Sequence, residues 1–174
     1  AVRLWRVADG SLLRTLQAHS DGVTSVEFSR DGASLVTGSW DKTARIWRVA
    51  DGSLLRTFQG HTFPVTSVAF SPDGAMLATG SADYTARLWR VTDGTLMCKL
   101  AGDYGQVKSV AFSPDGILLA STGSRDGIVH IRQVAGGEVV RTILAGKESI
   151  HGLAFSPDGR LLATGGSDAV IKLW

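Results

Sequence analysis

The sequence has few of the features that mark disulfide-rich, membrane-spanning or nucleic-acid-binding proteins. Its one cysteine, Cys98, excludes an internal disulfide framework and favours a reducing compartment, the cytoplasm. Its apolar runs are only a few residues long, whereas a membrane-spanning helix needs about 20. Its 18 basic and 16 acidic residues are balanced, and no basic block occurs. We therefore expect a folded protein with neither membrane nor nucleic acid among its partners.

The main feature of the sequence is a motif that recurs along the chain. The string Phe-Ser-(Pro/Arg)-Asp-Gly recurs at intervals of 42, 42 and 43 residues. Its copies begin at Phe28, Phe70, Phe112 and Phe155. Each interval holds four runs of strand length that alternate with a period of two and are bounded by turn residues. Four antiparallel strands in about 40–45 residues are typical of a β-propeller blade, so we predict an all-β propeller with four blades' worth of strands.

Three residue types keep a constant spacing in the first two repeats. His19 lies 22 residues before Asp41, and Trp47 lies 6 residues after it. His61, Asp83 and Trp89 repeat the same spacing. With these marks in register over all 174 residues, the chain resembles the WD40 family. The resemblance implies a non-catalytic scaffold, with no cofactor and no metal.

The same resemblance implies a hydrogen-bonded set of His, Ser/Thr, Asp and Trp in each blade. The matching residues are His19, Thr37, Asp41 and Trp47; His61, Thr79, Asp83 and Trp89; Thr122 and Asp126; and Thr164, Asp168 and Trp174. A His–Asp–Thr group also suggests a catalytic triad. However, a group that recurs in every blade is expected to buttress loops, because a catalyst needs only one asymmetric site. We therefore predict that the chain is not an enzyme.

The third repeat departs from this pattern. Asp103 stands in the His position, and Arg132 stands in the Trp position. A lone buried guanidinium is costly, so one interpretation is that Asp103 and Arg132 form a compensating pair. The other is that Arg132 turns outward and keeps its charge in water.

The loops that carry His and Asp differ between repeats, whereas the turns at the opposite ends of the strands are nearly constant. Aromatic and basic residues concentrate in these variable loops. They are Trp40, Lys42, Phe63, Tyr84, Tyr104 and Arg125. Aromatic residues and arginine are enriched at interaction hot spots, so we predict that this face binds a protein or peptide. The alternative is a structural or engineered repeat protein that assembles only with its own copies.

The arrangement of the repeats predicts a dimer. We treat residues 1–174 as one domain, with an extra third-strand segment at 1–5. Its repeat units are 6–47, 48–89, 90–132 and 133–174. The final blade lacks a fourth strand, which residues 12–16 of a second copy would supply, so that two chains close a ring of eight blades. Residues 2–5 and 171–174 would then compete for one position, and a fragment of a longer propeller is the alternative.

Overall fold

The computed structural model describes residues 1–17, 19–101, 105–125 and 127–174. In this part of the chain there are seventeen β-strands and no helix. The strands are β1 (Val2–Trp5), β2 (Leu12–Leu16), β3 (Val23–Phe28), β4 (Ser34–Ser39), β5 (Ala44–Arg48), β6 (Leu54–Phe58), β7 (Val65–Phe70), β8 (Met76–Ser81), β9 (Ala86–Arg90), β10 (Leu96–Leu100), β11 (Ser109–Phe112), β12 (Leu118–Thr122), β13 (Ile128–Gln133), β14 (Val139–Leu144), β15 (Ile150–Phe155), β16 (Leu162–Gly166) and β17 (Ile171–Leu173). Across the described ranges, no helix has the length and apolarity that a membrane crossing requires.

The strands form successive antiparallel sheets that correspond to propeller blades. β3–β6, β7–β10 and β11–β14 each make a four-stranded sheet, which we call the first, second and third blades. β1 and β2 form an N-terminal hairpin, and β15–β17 form a three-stranded terminal sheet. Each blade takes three strands from one sequence repeat and its last strand from the next. The predicted all-β propeller of four-stranded blades is confirmed.

The turns between the first and second strands of each blade explain why the Ser-x-Asp-Gly string recurs. In the second blade, Ser71 Oγ donates to Asp73 Oδ1 at 2.5 Å, and the same oxygen accepts the Ala75 N–H at 3.0 Å. Gly74 takes a φ of +70°, a region that glycine occupies without a Cβ penalty. The string therefore sets the tight reversal of the chain at one end of each blade, and we call this end the turn face.

The apolar core lies between the blades. Val36, Ala44, Ile46 and Phe58 of the first blade pack against Val65, Val68, Phe70, Leu77 and Trp89 of the second. The approach is close: a Cβ added at Gly38 would lie 2.8 Å from Val65 Cγ1. Because successive side chains of a strand point to opposite faces, each blade presents one apolar face to the blade before it and one to the blade after it.

We predict that Gly38→Ala destabilises the fold, because its methyl group would overlap Val65 of the next blade. Overpacking of this kind costs about 1–3 kcal/mol of unfolding free energy. Gly152→Ala is the matched control, because a Cβ at this strand position meets nothing within 4 Å. Urea unfolding of both variants checks the prediction, which fails if the two variants unfold at the same urea concentration.

Candidate functional site

Two segments of each blade meet at the end opposite the turn face. They are the loop before the first strand and the turn between the second and third strands. In the second blade, Ser81 Oγ lies 3.0 Å from the Phe63 carbonyl and 2.9 Å from the Pro64 carbonyl, and the Ala82 N–H donates to Pro64 at 2.9 Å. We call the combined surface of these segments the loop face. Its described residues are 19–22, 39–43, 61–64, 81–85, 105–106, 123–125, 145–149 and 166–170.

A continuous hydrogen-bonded chain lies under the loop face in the second blade. His61 Nδ1 is 2.8 Å from Asp83, and His61 Nε2 is 2.7 Å from Thr79 Oγ1. The Trp89 indole N–H donates to the same hydroxyl at 2.9 Å. A carboxylate only accepts, so Nδ1 carries the imidazole proton and Nε2 accepts the Thr79 hydroxyl proton. Each of these buried polar groups thereby gains a partner, as burial requires.

The first blade repeats this arrangement. His19 lies 2.8 Å from Asp41 and 2.6 Å from Thr37, and Trp47 donates to Thr37 at 3.0 Å. The structure therefore brings together the sets proposed from the sequence for these two blades. We call each set a tetrad.

The tetrads hold a carboxylate and a neutral imidazole side by side. Burial alone would raise the pKa of Asp41, but hydrogen bonds from Thr43 and His19 outweigh it and hold that pKa at about 2. Burial lowers the pKa of His19 and of His61 below the usual value, although the adjacent carboxylates oppose this effect. At neutral pH the pair is thus ionised at the aspartate alone.

Each tetrad joins the two segments of its loop face. Asp83 accepts the Thr62 N–H of the preceding loop at 3.1 Å and the Thr85 N–H of its own turn at 3.1 Å. Arg87 approaches the same carboxylate at 3.6 Å. The chemical role that this geometry supports is positional, because the histidine and aspartate are enclosed by protein donors and face no open cleft.

Two further residue types, which were not predicted from the sequence, complete this support. Buried Ser39 and Ser81 fasten their turns to the preceding loops, and Thr43 and Thr85 donate to the tetrad aspartates at 2.6 Å. The repeated string Ser-x-Asp-x-Thr, at 39–43 and 81–85, was the available signal.

The strand register corrects the residue proposed for the third blade. Ser121 lies opposite His130, as Thr79 lies opposite Arg87, and so occupies the tetrad position. Thr122 lies one position further, opposite Val129, and donates to the Ile150 carbonyl at 3.1 Å. The third repeat is one residue longer than the second, with 13 positions from Leu119 to Arg132 against 12 from Leu77 to Trp89. The extra residue falls after β12, because an insertion within the strand would reverse its two faces. Asp126 lies outside the described residues.

Arg132 occupies the tryptophan position of the third blade and is buried, which corrects the interpretation that it turns outward. It pairs with Leu119, as Trp47 pairs with Leu35. Its guanidinium donates to the Ala101 carbonyl at 2.9 Å and to the Gly137 carbonyl at 3.4 Å. Asp103 lies outside the described residues, so the compensating pair stays a prediction.

The terminal sheet keeps part of a tetrad. Trp174 donates to Thr164 Oγ1 at 3.1 Å, as in the complete sets. Gly146 stands in the histidine position, and Asp168 is paired instead with Lys172 Nζ at 3.1 Å. The aspartate is thus stabilised by an ammonium group rather than by an imidazole.

The aromatic residues proposed for binding are exposed on the loop face. The exposed fractions of Trp40, Phe63 and Tyr84 are 59%, 57% and 50%. Lys42 and Arg125 are exposed on the same face, and Tyr104 lies outside the described residues. Lys42 and Tyr84 also take positive φ angles of 70° and 67°. No group of His, Cys, Asp or Glu that could hold a metal ion occurs in the described ranges.

Comparisons with known proteins agree with this architecture. The family model described as IFT122 first beta-propeller matches residues 1–174. The Periodic tryptophan protein 2 homolog of Schizosaccharomyces pombe is 48% identical over 42 residues, 24% of this chain and 5% of that protein. The homolog of Neurospora crassa is 46% identical over 44 residues, 25% of this chain and 5% of that protein. These two matches are about one blade long and span only a small part of either relative.

We predict that the buried tetrad tryptophans contribute most to stability. Trp47→Ala and Trp89→Ala should each lower the unfolding free energy by about 3–5 kcal/mol, the range for a buried large aromatic residue. Trp174→Ala should cost less, because Trp174 is 40% exposed. Trp89→Phe keeps an aromatic ring but removes the N–H donor to Thr79. The loss of this hydrogen bond should lower the unfolding free energy by about 1 kcal/mol. Equal losses at Trp89 and Trp174 in urea unfolding would contradict this order.

We predict that the free energy of unfolding decreases as the pH falls, first in the pH range where the histidines titrate and again where Asp41 titrates. The folded pKa of His19 and His61 is below the ordinary 6.5, so their contribution is complete above that pH and declines as the pH falls. The folded pKa of Asp41 is about 2 against an ordinary 3.8, so its contribution is lost only below pH 3.8. Urea midpoints measured from about pH 7.5 to about pH 5 should fall, and less steeply for His61→Gln. A flat profile would overturn the prediction.

Proposed function

This chain belongs to the IFT122 first β-propeller family, within the WD-repeat propellers, and we propose on this premise that it is a non-catalytic scaffold whose loop face binds a protein or peptide. The observation that carries the proposal is the exposure of Trp40, Phe63 and Tyr84 on the loop face. Aromatic residues dominate binding energy at interfaces because they bury a large area on contact.

The backbone at Tyr84 supports this assignment. Tyr84 has a φ of 67°, where a bulky side chain is unfavourable. Gly127 occupies the equivalent position of the third blade, with a φ of 60°. Glycine would therefore suit this position better for folding alone. Lys42 and Ala169 take the same conformation at the equivalent positions, with φ angles of 70° and 59°, so each of these three turns retains a side chain where glycine would be less strained.

The charges of the loop face indicate the chemistry of the partner. Lys42 and Arg125 are exposed beside the aromatic residues, whereas Asp41 and Asp83 are enclosed in their tetrads. Asp21 and Glu148 are also exposed on the loop face, so its accessible charge is of both signs. We infer a partner segment that combines apolar or aromatic side chains with charged ones.

We predict that Tyr84→Gly weakens partner binding without loss of stability. A peptide selected from a random displayed library against the purified chain serves as the ligand, and fluorescence anisotropy gives its Kd. Tyr84→Gly and Trp40→Ala should each raise Kd by about tenfold or more, as expected of hot-spot residues. Tyr84→Gly should unfold at the same temperature as the parent chain or higher, because it relieves the positive φ.

Ile117→Ala is the matched control for this experiment. Ile117 is an exposed apolar residue, but it lies on the turn face. Its replacement should leave Kd unchanged. Unchanged binding by Tyr84→Gly and Trp40→Ala, or equal loss with Ile117→Ala, would show that the loop face is not the binding surface.

The second part of the proposal is that two chains join in one eight-bladed ring. Ile171 and Leu173 are 79% and 67% exposed, although the equivalent Ala44 and Ile46 are 1% and 2% exposed between blades. At the other end, Val26 and Phe28 are 55% and 53% exposed, against 5% and 8% for the equivalent Val68 and Phe70. Such surfaces are normally covered, and a second copy offers both complementary faces.

The strand sequences indicate how the copies would meet. β2 pairs with β1, with Thr15 opposite Arg3 and Arg14 opposite Leu4. The sequence Lys172-Leu173-Trp174 has the same pattern as Arg3-Leu4-Trp5, so β17 offers β2 of a second chain an equivalent strand. Pairing there would complete the terminal sheet as a four-stranded blade, and β1 of that second chain would be displaced.

We predict a dimer mass of about 37 kDa by light scattering, twice the chain mass of 18.4 kDa. Leu173→Asp should convert it to a monomer, because a buried unpaired charge is costly at an interface. Met97→Asp is the control, because Met97 is exposed on the outer strand of a complete blade. A parent chain of 18.4 kDa would contradict the ring and favour a longer propeller that covers the same surfaces.

We also propose a cytoplasmic location. The sequence contains a single cysteine, and Cys98 is a half-buried free thiol. Unpaired thiols are kept reduced in the cytosol. Imaging of a fluorescent fusion tests this location, and a secreted fusion would exclude it.

A further inference from the structure

A cavity of about 600 Å³ lies between the first and second blades at the turn face. Its apolar wall includes Ile46, Leu55, Phe70 and Val91, and Arg30 and Arg56 supply cationic groups. Both its volume and its mixture of an apolar wall with a few polar groups are typical of sites for small molecules. It lies on the face opposite Trp40 and Tyr84, so it is independent of the proposed loop-face site.

Two side chains of this cavity, Ser34 and Arg30, differ from those at the equivalent positions of the other repeats. Ser34 lines the cavity, whereas the same strand position holds Met76 in the second blade and Leu118 in the third. The small serine leaves room that the longer side chains would fill. The first-blade turn also carries Arg30, where the other turns carry Pro72, Pro114 and Pro157. Smaller cavities of about 360 Å³ and about 270 Å³ lie at the equivalent places beside Leu118 and Leu13, so the larger volume together with Ser34 and Arg30 distinguishes the junction of the first and second blades.

The two arginines differ in how they are held. Arg56 donates to the Thr92 carbonyl at 2.5 Å, and this contact fixes its guanidinium at the cavity wall. Arg30 is exposed and has no hydrogen-bond or ion-pair partner in the described part of the chain. A fixed cation and an unpaired cation at one cavity favour an anionic ligand.

Two carboxylates also line the cavity, and Oδ1 of each already accepts protein donors. Asp31 Oδ1 accepts the Ser29 hydroxyl at 2.6 Å and the Ala33 N–H at 3.0 Å. Asp73 Oδ1 accepts the Ser71 hydroxyl at 2.5 Å in the same way. These hydrogen bonds hold both carboxylates within their turns, whereas Arg30 is not held by the protein and is available to a ligand.

We propose that this cavity binds a small organic anion in which a carboxylate or sulfonate is attached to an apolar body. The apolar body packs against Leu55, Phe70 and Val91. The anionic group meets the guanidinium groups of Arg30 and Arg56. Ser34 determines the available depth.

Titration with 2-naphthoate, followed by two-dimensional amide NMR of the full chain, tests the proposal. Amide shifts should concentrate at residues around Ser34, Ile46 and Phe70. The neutral 2-naphthamide should bind about tenfold more weakly, because it lacks the charge that the arginines recognise.

Variants that carry the residues of other repeats make the test specific. Arg30→Pro introduces the residue of the other turns and should weaken naphthoate binding by about tenfold. Ser34→Met introduces the residue of the second blade and should abolish binding by filling the cavity. Arg48→Gln, at an exposed arginine paired with Asp51, is the control and should bind normally.

Three outcomes would overturn the proposal. They are the absence of saturable shifts, shifts confined to the exposed ends of the chain, and unchanged binding by Ser34→Met. The parent-like amide spectrum of each variant verifies that it is folded, so a loss of binding reflects the cavity itself.

Discussion

Each sheet of this protein has two apolar faces, and the need to bury both is the constraint on which the rest of the structure depends. The second blade meets this constraint fully: Val68 and Phe70 are buried against the first blade, and Ala86 and Leu88 are buried against the third. The small residue Gly38 permits the close approach. Where a neighbour is lacking, the same positions are exposed, as at Phe28 and Leu173. Burial between sheets thus determines both the order of the blades and the character of the two ends.

The tetrads follow from this packing. A tryptophan buried between blades must satisfy its indole N–H, and Thr79 accepts it while donating to His61. His61 in turn carries the connection to Asp83 and so to the loop face. In the third blade Arg132 takes the tryptophan position and donates to main-chain carbonyls. The buried indole N–H and the buried guanidinium both need hydrogen-bond acceptors, but the first uses a threonine hydroxyl and the second uses main-chain carbonyls.

The two ends of the blades have different freedom to vary. Turn-face residues such as Ser71 and Asp73 are engaged in the chain reversal itself, so most repeats keep them. The loop face is held by the buried tetrads beneath it. The exposed loop residues, such as Trp40 and Tyr84, therefore differ between repeats while the hydrogen bonds of the tetrads are kept. Turn positions that are not engaged in the reversal do vary, as at Arg30 against Pro72 and at Ile117 against Ala75.

The sequence alone determined the blade pattern, because a 42-residue period with alternating strands leaves few other all-β arrangements. It also identified His61, Asp83, Thr79 and Trp89, since their spacing is constant between repeats. Tertiary structure decided what depends on register and neighbours. The pairing of strands placed Ser121, rather than Thr122, in the third tetrad position. Packing kept Arg132 buried, and the junction of the first and second blades left a cavity beside Ser34 that no motif marks. Spacing along the chain reveals what every repeat shares, but contacts between blades depend on which side chains meet in space.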